Sequence, residues 1–227
     1  PNTEIESCAS GGARIDLEIL KRTSRVWPSD TTDAIERLRI QRWNGLVLPP
    51  EILGAHVGPY PNPITGRKLG MDFRARVAMF GHMGVEVDPR TLSDQERSSL
   101  MRHIALYKQH RDLIHSGRMI FWALPDGGDA RAVISNDRTE ALVLACQTAV
   151  AKHGLSAPLT ISGLDHAATY RVRLVEPWPA VVARRTEHLT GLKDGLTFSG
   201  AALTSVGLRL PLSDPETAWL IHIQRAG

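Results

Sequence analysis

The sequence predicts an α/β unit followed by a β unit, with the change near Gly117. Before that point, short apolar strand-like pieces alternate with helical ones, as in a parallel sheet built from βα repeats. After it the period becomes two: Tyr170, Val172 and Leu174 alternate with Arg171 and Arg173, the pattern of a half-buried strand. The turn sequences Asp126-Gly127-Gly128, Asn136-Asp137 and Ser162-Gly163 punctuate this second part, which predicts an antiparallel β-domain.

In chain order, Ile5–Cys8 and Arg25–Trp27 are expected to end strands. Asp33–Trp43 is expected to be helical, with Ala34, Ile35 and Leu38 on one side and the D-x-x-E spacing of Asp33 and Glu36 forming a capping box. Leu46–Leu48 predicts a third strand running into Pro49-Pro50, Phe73–Phe80 a helix and Gly84–Val87 a fourth strand. Ser93–Ser116 predicts a long helix: Ser93 and Glu96 make a second capping box, and Leu100, Ile104, Tyr107 and Ile114 share one face. Further strands are expected at Met119–Leu124, Ala130–Ser135, Ala141–Ala149, Leu159–Ser162, Val206–Leu210 and Ala218–Ile223.

Composition narrows the function. Lys and Arg (27) nearly balance Asp and Glu (24), and no basic run occurs, so a nucleic-acid partner is not expected. No apolar run approaches the roughly 18 residues of a membrane span, so no membrane partner is expected. Cys8 and Cys146 stand far apart in unlike contexts, which favours a reducing, cytoplasmic setting over a disulfide scaffold.

Candidate chemistry lies in the first 33 residues. Cys8 to Arg14 is a turn of small residues that a ligand could approach closely, or an ordinary strand-to-helix turn in which Arg14 pairs with a nearby carboxylate such as Asp16. Trp27 precedes Pro28-Ser29-Asp30, a run that either forms part of a sugar pocket or sets a core tryptophan beside a capping aspartate. An indole packs well against a sugar's C–H face, and a neighbouring carboxyl can serve as general acid to a glycosidic oxygen. Asp33 has a structural explanation as helix cap, whereas Asp30 has none and falls in a loop after a strand, so Asp30 is the preferred acid. Burial near Trp27 is expected to help it cycle a proton. His56 either lines the same pocket or is a hydrogen-bonded core histidine. His82 and Glu86 match no known metal-ligand spacing, and no metal or cofactor is assigned.

Four motifs, E-S-C-A-S-G-G-A-R-I-D, W-P-S-D-T-T-D-A-I-E-R-L-R-I-Q, G-A-H-V and V-A-M-F-G-H-M-G-V-E-V-D, resemble in order the C-terminal half of bacterial glycoside hydrolase family 36 α-galactosidases. The resemblance implies a retaining exo-glycosidase that releases terminal α-linked galactose from melibiose or raffinose-type oligosaccharides. It implies Asp30 as acid/base and Cys8, Ser10, Arg14 and Trp27 as substrate-binding. The position of Ser10 commonly carries glycine in that family, and its nucleophile motif, Lys-Trp-Asp, is absent from this sequence. A complete (β/α)8 barrel needs roughly 250 residues. Residues 1–117 are therefore expected to be the C-terminal half of a TIM barrel, and residues 118–227 an antiparallel β-sandwich domain. With the motif so close to Pro1, the chain is expected to be an inactive fragment of a homo-oligomeric enzyme. Galactosyl transfer, α-N-acetylgalactosaminidase activity and a non-catalytic sugar-binding piece are the alternatives.

Overall fold

The computed structural model describes residues 3–12, 15–125, 127–152, 156–179 and 187–227. The chain forms two compact units, Pro1–His115 and Ser116–Gly227. No helix among the described residues is long and apolar enough to cross a membrane.

The first unit alternates strand and helix throughout: β1 (Glu6–Ser7), α1 (Leu17–Leu20), β2 (Arg25–Val26), α2 (Ala34–Asn44), β3 (Gly54–Val57), α3 (Met71–Met79), β4 (His82–Val85) and α4 (Asp94–Ser116). β1 pairs parallel with β2, β3 parallel with β4, and a parallel bridge from Val26 to Leu53 joins the two pairs. The result is an arc of four short parallel strands in chain order.

The helix starts follow from their caps. Asp33 Oδ1 accepts from the backbone N–H groups of Ile35 (2.9 Å) and Glu36 (3.1 Å). At α4 the box is reciprocal: Glu96 N–H donates to Ser93 Oγ (3.2 Å) and Ser93 N–H to Glu96 Oε2 (3.1 Å). Such caps satisfy N–H groups that the first turn leaves without helical partners. Along α4, Leu100, His103, Tyr107, His110 and Ile114 form the buried stripe.

One predicted strand moved. Leu46–Leu48 forms no strand, and Leu46 and Val47 are exposed. Pro49 and Pro50 have no N–H to donate to a ladder, and Pro50 instead opens a short 3-10 turn, Pro50–Ile52. The strand forms beyond that turn, at Gly54–Val57.

Among the described residues the second unit holds one six-stranded antiparallel sheet. Its strands are β5 (Arg118–Leu124), β6 (Gly128–Ile134), β7 (Glu140–Gln147), β8 (Thr169–Leu174), β9 (Leu196–Ser199) and β10 (Thr217–Arg225), in the order β5-β6-β7-β10-β8-β9. Helices α5 (Glu187–Asp194) and α6 (Gly200–Ser205) flank β9 in the chain. β8 alternates exposed and buried as predicted, whereas Ala141 to Cys146 of β7 are buried on both faces. The Asn136-Asp137 turn is tied by bonds from Ser135 and Thr139, which lower the Asp137 carboxyl to about 2.

Leu159, Ile161, Leu164, Leu203 and Leu208 cover one face of this sheet and share its core with Tyr170, Val172, Trp219, Ile221 and Ile223. The strands predicted at Leu159–Ser162 and Val206–Leu210 reduce to the single bridge Leu159–Leu208. Gly163 and Gly207 adopt left-handed φ values of 95° and 78°, which break any longer ladder. Among the described residues the segments that share this core are therefore helices α5 and α6, a bridge and loops rather than a second sheet.

Candidate active site

In parallel α/β arrangements the loops that leave the C-terminal strand ends converge on one side, where ligands bind. Here those loops begin at Cys8, Trp27, Gly58 and Glu86. The first two are packed directly on each other. Gly11 and Gly12 hold φ of 60° and 104°, and a Cβ on Gly11 would overlap the backbone nitrogen and carboxyl of Asp30. One on Gly12 would strike the carbonyl of Pro28. The glycines thus let the Cys8–Gly12 turn lie flat against the Trp27–Asp30 loop, in a backbone conformation that L side chains rarely adopt.

Ser10, with φ 51°, and Cys8 are both exposed beside that contact, and Cys8 is a free thiol. Asp30 is also exposed, so the burial expected for it beside Trp27 is not met in this chain. Its loop is set by others: Ser29 Oγ accepts from Thr31 N–H at 3.2 Å. Arg14, like Asp126 of the predicted turn, lies outside the described residues.

Trp27 is only 8% exposed. Its ring stacks on His56 with centroids 4.2 Å apart, and the Arg37 guanidinium carbon sits 4.6 Å from the ring centroid. His56 is held from the next strand, its Nδ1 lying 3.1 Å from Glu86 Oε2. His56 therefore joins the strand-end layer of Trp27 and Glu86. His82 faces elsewhere, 3.4 Å from Arg25 Nη1 and stacked on His115. Burial first, then the Arg25 charge, lowers its basicity. His82 and Glu86 thus have different partners and do not converge.

Asp33 is more than a cap. Arg67 Nη1 donates to its Oδ1 at 2.6 Å and Thr65 Oγ1 to its Oδ2 at 2.5 Å. Burial pushes this carboxyl up, but the bonds from Thr65, Glu36 N–H and Arg67, with the Arg67 charge, outweigh it and hold it below the ordinary value. Buried Asn62 closes the same clasp, donating to Thr32 Oγ1 at 3.1 Å and accepting from Ile64 and Thr65 N–H. The loop after β3 is thereby fastened to the end of the Asp30 loop.

Two contributors escaped the sequence reading. The clasp of Thr65 and Arg67 on Asp33 spans more than 30 positions and leaves no local pattern. Arg37 did leave one: the buried stripe of α2 is Ala34, Arg37, Leu38 and Gln41, so an arginine stands at a core position of the helical repeat.

Residues 1–117 match the family profile described as Melibiase, and residues 129–223 match the glycosyl hydrolase family 36 C-terminal domain. The chain belongs to this melibiase family of glycoside hydrolases. More particularly, it is 39% identical over its whole length to an alpha-galactosidase of Escherichia coli, of which it covers 33%. It superposes on the galactosidase domain of the alpha-galactosidase-sucrose kinase AgaSK with a TM-score of 0.85 at 29% identity, covering 100% of this chain and 29% of that one. A variant of the family 36 alpha-galactosidase AgaA from Geobacillus stearothermophilus, solved in complex with raffinose, matches with a TM-score of 0.84 at 30% identity, covering 97% of this chain and 28% of that one. The chain thus spans about a third of the length of these relatives.

Proposed function

We propose that the complete protein to which this chain belongs is a retaining α-galactosidase, with Asp30 as its acid/base. The observation that carries the reading is the packing of the Gly11–Gly12 turn onto Asp30 at the C-terminal ends of parallel strands. The turn that meets the exposed Asp30 also carries Cys8 and Ser10, both exposed. A retaining mechanism needs a second carboxylate about 5–5.5 Å from the acid/base. The family's Lys-Trp-Asp nucleophile motif does not occur in these 227 residues, so the nucleophile is assigned to another part of the complete protein.

In this reading residues 1–117 are the C-terminal half of a (β/α)8 barrel, and residues 118–227 are a C-terminal antiparallel β-domain of one main sheet. Support comes from the four-strand arc, whose strands follow chain order with a helix after each. Cys8, Ser10 and Arg14 contact the sugar, and Trp27 backs the pocket through His56. Terminal galactose on raffinose-type oligosaccharides is the substrate class, because AgaA variants carry raffinose and stachyose in their solved complexes. The free cysteines Cys8 and Cys146 support a cytoplasmic location, and a homo-oligomer is retained for the complete protein.

Asp30 would first give its proton to the departing oxygen, then remove one from the water that releases galactose. The test is the complete protein with Asp30→Asn, assayed on melibiose. Turnover should fall by about 10^3-fold, within the usual range for losing a general acid/base. Undiminished hydrolysis of melibiose would refute the assignment.

A further inference from the structure

We propose that Arg37 is a positioning residue for the acid/base, acting on Asp30 through the backbone of its loop; the inference rests on the reading of Asp30 just given. Arg37 lies on α2 and is 2% exposed. Nη1 donates to the carbonyl of Ser29 at 3.2 Å, one residue before Asp30, and Nη2 donates to the carbonyl of Gly54 at the start of β3. The same guanidinium lies against the ring of Trp27. One planar group therefore ties the near side of the Asp30 loop, at Trp27 and Ser29, to the neighbouring strand.

Burying a charged guanidinium is costly unless its donors are met. An apolar residue would serve α2 as well if packing were the only demand, as Ala34 and Leu38 do on the same stripe. The chemistry of arginine fits the other demand. Its rigid fork reaches two carbonyls on different elements while its face packs on an aromatic, whereas a lysine ammonium offers a single point of charge. The remaining side of the loop is fixed by Asp33, clasped by Thr65 and Arg67. Asp30 sits exposed between these two anchors.

The consequence is specific to proton transfer. A displacement of about 1 Å in a catalytic group lowers the rate by about 10^2. That loss should appear where the leaving group must be protonated and shrink where it need not be. The experiment compares kcat/KM on melibiose and on 4-nitrophenyl α-galactoside for the complete protein, Arg37→Gln, Arg37→Lys and Asp30→Asn. The ratio of the two substrates is independent of how much of a preparation is folded, and Arg37→Lys covers the case in which Arg37→Gln yields no folded protein.

Arg37 variants should lose about 100-fold on melibiose and less than about tenfold on the nitrophenyl substrate. In an Asp30→Asn background, Arg37→Lys should leave the ratio unchanged. Equal losses on both substrates would overturn the role of Arg37 while leaving Asp30 intact. A wild-type ratio in Asp30→Asn itself would instead overturn the acid/base reading, and this inference with it.

Discussion

The first unit buries Asp33, Arg37, Arg74 and Arg76, whereas in the second Arg131 is the only buried charged residue among those described. The buried groups also bond differently. In the first unit Arg37 donates to Ser29 and Gly54 carbonyls, Arg74 to the Gly58 carbonyl at 2.6 Å and Gln41 to the Val77 carbonyl at 3.2 Å. Each acceptor belongs to a strand, a strand-end loop or a helix end. In the second unit the core is Tyr170, Val172, Ile221, Ile223 and their apolar neighbours, held by a continuous antiparallel ladder. Strands of two to four residues supply few ladder bonds to hold their loops, so side chains do that work in the first unit. Eight- and nine-residue strands such as β7 and β10 do not need such help.

That contrast makes mutations in the two units separable. The largest effect on stability is expected in the second unit. Ile221→Ala, at a fully buried central position, should cost about 3 kcal/mol and lower the melting temperature of the complete protein. It should leave the ratio of melibiose to nitrophenyl galactoside rates at the wild-type value. A shifted ratio would show that the division of labour is wrong.

Asp33→Ala should cost less stability, about 2 kcal/mol, from the lost cap and the lost bonds from Thr65 and Arg67. Unlike Ile221→Ala, it should also slow melibiose hydrolysis, because it frees one anchor of the Asp30 loop. Gly11→Ala should cost about 1 kcal/mol in backbone strain, yet reduce activity more than that figure suggests, since the added methyl lands on Asp30. Thermal melts paired with the two-substrate assay would check both.

The smallest effect is one of pH. The Asp33 carboxyl is depressed in the folded state, so its stabilisation is present above the ordinary value of 3.8 and is lost as pH falls through the lower folded value. The difference in melting temperature between wild type and Asp33→Asn should therefore be full at pH 7 and shrink below about pH 4. A constant difference down to pH 3 would contradict the role given to its ion pair and hydrogen bonds.

Sequence carried what is local. The caps at Asp33 and Ser93, the alternation of Tyr170 to Leu174 and the placement of Asp30 in a loop after a strand all depend on residues within four positions of each other. It failed where prolines override an apolar run, as at Leu46–Leu48, and where short pieces lean on distant partners, as in α6 and β9. The insertion of β10 between β7 and β8 has no local signature either. At the site, Cys8, Ser10, Trp27 and Asp30 were visible as motif residues, but the contacts that position them were not. His56 meets Glu86 across 30 positions. Arg37 was visible in principle, as a charge on a buried helical stripe.

The central claim is that Asp30 works on the α face of the sugar as acid and then base. Its most direct test is to give Asp30→Asn, in the complete protein, an activated galactoside together with azide. With the base missing, azide takes the place of water on the galactosyl-enzyme and is expected to restore turnover, yielding α-galactosyl azide. Formation of the β-azide would mark Asp30 as the nucleophile, and turnover unchanged by azide would mark it as neither.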